Sequence, residues 1–201
     1  ADHAAPSHES WLGNEPAFDA IPRVRRRMDT DVLRPVVNAI HQARQVEIYY
    51  QSMTQPLPGW RSVAPHALIY DGARWHARCW CYKRSRFADF VLARMLAVRE
   101  AGSSSIDPQL DAAWTHRFTM KLAPHPDLSE GQQRAIEMDF GMIDGRIGIE
   151  MRLCLTGYFE RHYGLDIPRE LLPVWRRQVI LENREELMAI RAEFGESAEA
   201  A

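Results

Sequence analysis

The chemically richest stretch of the chain is Arg74-Trp75-His76-Ala77-Arg78-Cys79-Trp80-Cys81. A β-strand sends successive side chains to opposite faces. In that conformation Trp75, Ala77 and Cys79 enter a core, while Arg74, His76, Arg78 and Trp80 share the other surface. Two guanidiniums, an imidazole and an indole on one strip suit an anion or a nucleotide. Arginine offers forked donors to phosphate, and aromatic faces stack on bases. The plainer alternative is a solvated face whose cations pair internally with residues such as Asp89.

Other polar residues are candidates for the same surface. His66 follows Pro65 at an expected strand entry, where its alternative role is to satisfy backbone groups. Tyr50 and Ser52 continue the apolar face of an earlier strand, with core packing and one hydrogen bond as the alternative. Arg61 and Arg94 sit among hydrophobic neighbours in expected strands. An unpaired charge is costly there, so each requires an anion, either internal or bound.

Signatures of catalysis are missing. Gly141 and Gly145 are too sparse for a phosphate loop, which needs clustered glycines before a helix. There is no Gly-x-Ser-x-Gly elbow, no His-Glu-x-x-His, and no cysteine in a recognisable catalytic setting. Glu185 and Glu186 fit the first turn of a helix, where the macrodipole favours acids. The expectation is a non-enzyme without cofactor or metal. Cys79, Cys81 and Cys154 form an odd, sparse set that argues against a disulfide scaffold and fits a reducing cytoplasm. Cys79 and Cys81 share a strand face and read as a buried, inert pair, because zinc needs four ligands and no second close Cys or His pair occurs. No apolar run approaches the ~20 residues that span a bilayer, and there is no signal peptide. A cytoplasmic protein without a membrane partner is expected.

The 201 residues are 46% hydrophobic and 26% charged, ordinary for a globular chain. With 25 basic and 27 acidic side chains the formal charge is −2, so no whole-molecule footprint for nucleic acid exists. Local patches remain possible: Arg23, Arg25, Arg26 and Arg27 form a run that suits either a solvated linker or a phosphate-facing role.

The elements that must position these residues follow from periodicity. Residues 1–28 read as an irregular connector. A helix follows, with Leu33, Val36, Val37 and Ile40 on one face, closing over Gln42 to Gln45; Pro35 fits only in its first turn. The period then drops to two at Val46, Ile48 and Tyr50. Further strands are expected over Trp60 to Val63, Ala67 to Tyr70, Arg74 to Cys81 and Phe90 to Val98, with a hairpin turn at Asp71-Gly72. Five short strands with local hairpins suggest a small, bent antiparallel β-barrel. Ala101 to Pro108 is the expected boundary. Beyond it come a strand over Trp114 to Leu122, a helix capped by Ser129 and Gln132, and a strand through Ile147, Ile149, Met151 and Leu153. A helix stopped by Gly164 and a last helix capped by Asn183 complete an α+β set.

Four ordered blocks carry a resemblance: Val46-Glu47-Ile48-Tyr49-Tyr50-Gln51-Ser52, Arg61-Ser62-Val63-Ala64-Pro65-His66-Ala67-Leu68, Asp71-Gly72-Ala73-Arg74-Trp75-His76, and Phe90-Val91-Leu92-Ala93-Arg94-Met95. Together they resemble the WYL domain across residues 44–98. The name-giving Trp-Tyr-Leu stands here as Trp75-His76-Ala77, which looks like the WYL repressors that control phage-defence operons of the BREX and CBASS kinds. Trp11-Leu12-Gly13 and Phe18-Asp19-Ala20-Ile21-Pro22 look like the connector such repressors carry. Leu122-Ala123-Pro124-His125-Pro126 and Asp139-Phe140-Gly141-Met142 resemble their C-terminal extension, the WCX region. The resemblance implies an Sm-like, SH3-type barrel over residues 29–100, preceded by a helix, and a small α+β domain over residues 110–201. It also implies a homodimer, operator DNA bound only through an upstream winged helix-turn-helix that these residues lack, and a nucleotide or oligonucleotide effector. The effector would lie on Tyr50, Ser52, Arg61, His66, Arg74, His76, Arg78 and Arg94. Two other functions compete: a nucleic-acid-binding regulatory module of a nuclease or helicase system, and a purely structural dimerisation unit.

Overall fold

The computed structural model describes residues 19–20, 28–168 and 171–195. The expected connector, apart from Asp19, Ala20 and Met28, lies outside the described residues, as does the run Arg23, Arg25, Arg26 and Arg27.

Helix α1 spans Thr30–His41 and begins where the Asp29 carboxylate accepts the Asp31 N–H. Its buried stripe is Val32, Val36 and Ala39, flanked by half-buried Leu33 and Ile40. Pro35 lies beyond the first turn, contrary to expectation. A proline there removes one ladder bond, whose acceptor would be the carbonyl of Asp31. Asp31 is exposed, so water can replace that donor. The helix ends at His41 rather than further on, and Ala43 turns the chain with a φ of 49° directly into a strand.

Five antiparallel strands follow: β1 Arg44–Tyr50, β2 Gly59–Tyr70, β3 Trp75–Cys81, β4 Arg86–Val91 and β5 Met95–Ser103, in the order β4-β3-β2-β1-β5. Five strands were expected, but their division differs. The segments expected at Trp60 to Val63 and Ala67 to Tyr70 are one long strand, β2, whose register with β3 shifts between Pro65 and Ala67. Its first half pairs with β1 and its second with β3, so the irregularity at His66 serves both partners. The single strand expected over Phe90 to Val98 is broken by a 3-10 turn, Leu92–Arg94. That turn separates β4 from β5, and no ladder joins them, so the sheet is not closed into a barrel. Two bonds tie the end of β4 and the 3-10 turn to the end of β1 instead. The Val91 N–H donates to the Tyr50 hydroxyl oxygen at 3.3 Å, and the Gln51 N–H donates to the Arg94 carbonyl at 3.0 Å. The sheet packs α1 against Val46, Ile48, Val63, Ala77, Cys79 and Phe90.

The second unit contains α2 Ala112–Thr115, β6 Arg117–Pro124, α3 Glu130–Phe140, β7 Ile147–Arg152, α4 Thr156–Tyr163, β8 Val179–Leu181 and α5 Arg184–Glu193. Its antiparallel sheet runs β7-β6-β8. Trp114 lies on α2 rather than on the expected strand, because Asp111 caps a helical turn first. Both halves of the Ser129–Gln132 capping box form, and Gly164 closes α4 with a φ of 65° that disfavours a side chain. Asn183 precedes α5 but does not cap it with its side chain. It accepts from the Lys121 N–H and donates to the Thr119 carbonyl, tying the helix start to β6. The core comprises Phe118, Met120, Leu122, Ile136, Leu153, Leu165 and Leu187, and Ile69 from β2 joins it. The architecture is α+β, with two antiparallel sheets and helices packed on them.

Candidate functional site

The β3 strip alternates as expected, yet both its faces are covered. Ala77 and Cys79 are buried in the α1 core. Burial pushes the Cys79 thiol well above its ordinary range, which makes it inert. Trp75 departs from expectation: near the hairpin tip it is exposed and packs against Tyr70, ring centroids 5.1 Å apart. On the opposite face, His76 and Arg78 are each only 2% exposed. The expectation that they share one open surface is therefore corrected. The second unit covers them.

Arg78 is neutralised from within the chain. Its Nε and Nη2 donate to Asp111 Oδ2 and Oδ1 at 2.7 and 2.9 Å, a forked pairing, and Nη1 donates to Asp89 Oδ1 at 3.3 Å. His66 Nε2 lies 2.9 Å from Asp111 Oδ2, so His66 meets a carboxylate rather than backbone groups. Asp111 also accepts the Trp114 N–H as the cap of α2. Burial alone would raise the Asp111 carboxyl, but the hydrogen bonds and charges of Arg78 and His66 outweigh it and hold it at about 2.

His76 stands at the centre of a second chain of bonds. Its Nε2 lies 2.8 Å from Asp71 Oδ2, and its Nδ1 lies 3.3 Å from the Tyr158 hydroxyl on α4. Burial lowers the His76 pKa despite the upward pull of Asp71 and Asp89. The ring is therefore neutral at neutral pH, with Nε2–H donating to a carboxylate that can only accept. Nδ1 then carries no proton, and because the Tyr158 proton goes to Asp89 the 3.3 Å approach of Nδ1 to Tyr158 is a polar contact and not a second bond. Asp71 also accepts from the Ala73 and Arg74 N–H groups and from Arg74 Nε. Against the upward effect of burial, His76 and those backbone donors hold Asp71 at about 2. Tyr158 donates to Asp89 Oδ2 at 2.7 Å, and burial together with that carboxylate pushes its pKa well above the ordinary value. Arg74, His66, His76 and Arg78 thus belong to one buried polar joint between the two units.

The other four candidates form a separate patch where β1 ends. Tyr50 is 2% exposed and packs edge-on against Phe90, 5.1 Å between centroids. The Ser52 hydroxyl is buried and accepts the Thr54 N–H. Arg61 pairs with Ile48 in the ladder, and its guanidinium carbon stands 5.8 Å above the Tyr50 ring. Arg94 closes the 3-10 turn and precedes Met95, which pairs with Tyr50. Both arginines are half-buried, and among the described residues neither has an ion pair. The internal anion that each required is not found among the described residues.

Sequence reasoning missed Asp71, Asp111 and Tyr158 as parts of the joint. Asp71 had a signal in the Asp-Gly turn, and Asp111 had one as a helix cap ahead of Ala112. Tyr158 had none, because it meets His76 across 82 residues of chain.

The geometry defines a class: a two-unit α+β module whose chemistry is ionic and hydrogen-bonding, with no group of His, Cys, Asp or Glu among the described residues that could hold a metal. No helix among them is long and apolar enough to cross a membrane. Residues 31–100 match the WYL domain family, and residues 117–187 match the family described as BrxR transcriptional regulator, C-terminal dimerization domain. The chain thus carries a WYL domain followed by a BrxR-type C-terminal domain. It is similar to the DNA-binding transcriptional repressor CapW of Escherichia coli (strain KTE188), 36% identical over 181 residues that cover 90% of this chain and 60% of that protein. The protein of the same name from Stenotrophomonas maltophilia is 34% identical over 186 residues, covering 89% and 60%. The chain thus spans 60% of the length of these curated relatives. Among solved structures, proteasome accessory factor B/C of Arthrobacter aurescens aligns with 82% of this chain and 26% of its own at 17% identity and a TM-score of 0.35, a likeness too slight to bear on shape or role.

Proposed function

We propose that this chain is the effector-sensing and dimerising part of a transcriptional repressor, and not an enzyme. The sensing unit is residues 29–100, the dimerising unit is residues 110–201, and the operon it controls is of the phage-defence kind. The family matches support the regulatory and self-associating role. The observation that carries effector binding is the patch around Tyr50, where half-buried Arg61 and Arg94 have no ion pair among the described residues. Forked guanidinium donors suit a nucleotide or oligonucleotide phosphate, and one of them, Arg61, stands over the Tyr50 ring. The effector site narrows to Tyr50, Ser52, Arg61 and Arg94, with His66, Arg74, His76 and Arg78 supporting it from the joint.

Titration calorimetry with a short single-stranded oligonucleotide and a cyclic dinucleotide tests the patch. Wild type binds at least one of them, and Arg61→Ala or Arg94→Ala weakens binding about ten- to a hundredfold, the loss of a charge-assisted hydrogen bond. If neither ligand binds the folded protein, only a structural dimerisation role survives. That second reading draws on the neutralised state of Arg78, which makes β3 a scaffold strand.

A further inference from the structure

Each side of the effector patch and the interunit joint leads to the same six residues. Asp89, near the end of β4, is the carboxylate shared by Arg78 and by Tyr158 of α4. Val91, two residues on, pairs with His76 in the β3 ladder while its N–H donates to the Tyr50 hydroxyl. Arg94 ends the 3-10 turn, holds the Gln51 N–H with its carbonyl and, like Arg61, has no ion pair among the described residues. β4 is an edge strand with no neighbour on that side. Among the described residues no second ladder holds its outer side, so these few bonds, with the packing of Phe90, Val91 and Leu92, set how the segment sits.

We propose that the segment from Asp89 to Arg94 is a coupling element: what displaces it at Tyr50 and Arg94 is felt at α4 through Tyr158, and what loosens Tyr158 is felt at the patch. The role of an effector as the displacing agent rests on the function proposed above. The mechanical link does not. An anion drawn to Arg61 and Arg94 beside the Tyr50 hydroxyl would compete with that oxygen for the Val91 N–H and release the end of β4. Asp89 would then move against Tyr158 and Arg78, and the second unit would change its seat on the sheet. Coupling between sites is reciprocal in free energy, so either end can be used to probe it.

Amide hydrogen exchange on the protein without ligand is the test, with Tyr50→Phe and Tyr158→Phe as the perturbations. Each variant keeps its ring and removes one hydroxyl. Tyr50→Phe is expected to speed exchange several-fold within Thr156–Tyr163, and Tyr158→Phe to do so within Leu92–Arg94 and at Gln51. Trp60→Ala, on the far face of the sheet, leaves both segments unchanged. If each hydroxyl deletion alters exchange only on its own side, the coupling is overturned. Reciprocal exchange without calorimetric binding would sink the effector and leave the coupling standing; binding without reciprocal exchange would do the opposite.

Discussion

At the scale of single residues the protein uses ionisable groups mainly as structure. Asp71 and Asp111 are held at about 2, below the ordinary 3.8, because their donors outweigh the effect of burial. Each therefore contributes stability that is fully present above the ordinary carboxylate value and is lost as pH falls toward the folded one. His76 is displaced below its ordinary 6.5 by burial. The fold resists its proton, so stability begins to fall as pH drops below 6.5, before either aspartate titrates. The expected thermal midpoint declines in two stages, a gentle one starting near pH 6.5 and a steep one between about 4 and 2. Calorimetric melting across that range checks it. His76→Gln should remove the gentle stage, and Asp111→Asn should flatten the steep one; a wild-type midpoint that is level down to pH 5 would rule out a resisted proton on His76.

At the scale of elements, the Asn183 amide shows how short pieces are held. β8 has three residues, and its ladder with β6 covers Leu122 to Pro124. Asn183 extends that ladder with a side chain, matching the donor of Lys121 and the acceptor of Thr119. Asn183→Ala removes both bonds, and a third that the amide donates to Glu186 on α5, at a half-buried position, with an expected cost of about 1–3 kcal/mol at roughly 1 kcal/mol per net hydrogen bond. Chemical denaturation measures it. Asn183→Asp should not rescue, since a carboxylate cannot donate to the Thr119 carbonyl. A loss equal to that of an ordinary surface substitution would show the tie to be incidental. The same elements explain what was legible beforehand. The apolar period of α1, the alternation at Val46, Ile48 and Tyr50, and the Ser129–Gln132 box are local signals, and local bonds formed as read. β8 is too short to carry a period. The long β2 was divided because Pro65 and His66 interrupt its alternation, and only pairing with two partners shows it to be continuous. The burial of the Arg74–Trp80 strip was illegible for a deeper reason. Period two separates two faces of a strand but does not say what covers either, and here the cover comes from Asp111 and Tyr158, far away in sequence. Arg61 and Arg94 stand out in the sequence because two charges among apolar neighbours are conspicuous without any tertiary knowledge.

At the scale of the whole molecule, two hydrophobic cores are joined by a mostly polar seam. Buried ion pairs hold such a seam in one geometry, yet add little net stability over water once both partners are rehydrated together. What makes separation costly is the apolar remainder. Ile69 belongs to β2 by sequence and to the second core by packing, 3% exposed. The His76 and Tyr158 rings meet at a tilt across the seam, 4.9 Å between centroids, and His66 packs edge-on against Trp114 at 5.6 Å. Loss of the second unit would expose all of these while leaving the sheet's own face polar and partly unpaired. The first unit on its own is about 70 residues, a size at which a single core is marginal. The two units should therefore unfold as one cooperative transition, despite having separate cores and separate family histories. If the second unit also joins two copies of the chain, as its family description states for that family, unfolding exposes a dimer interface as well. The midpoint then rises with protein concentration, since association stabilises only the folded form. Differential scanning calorimetry at two concentrations a hundredfold apart is decisive: a single endotherm that moves upward fits a coupled dimer, whereas two separated endotherms mean that the seam transmits nothing.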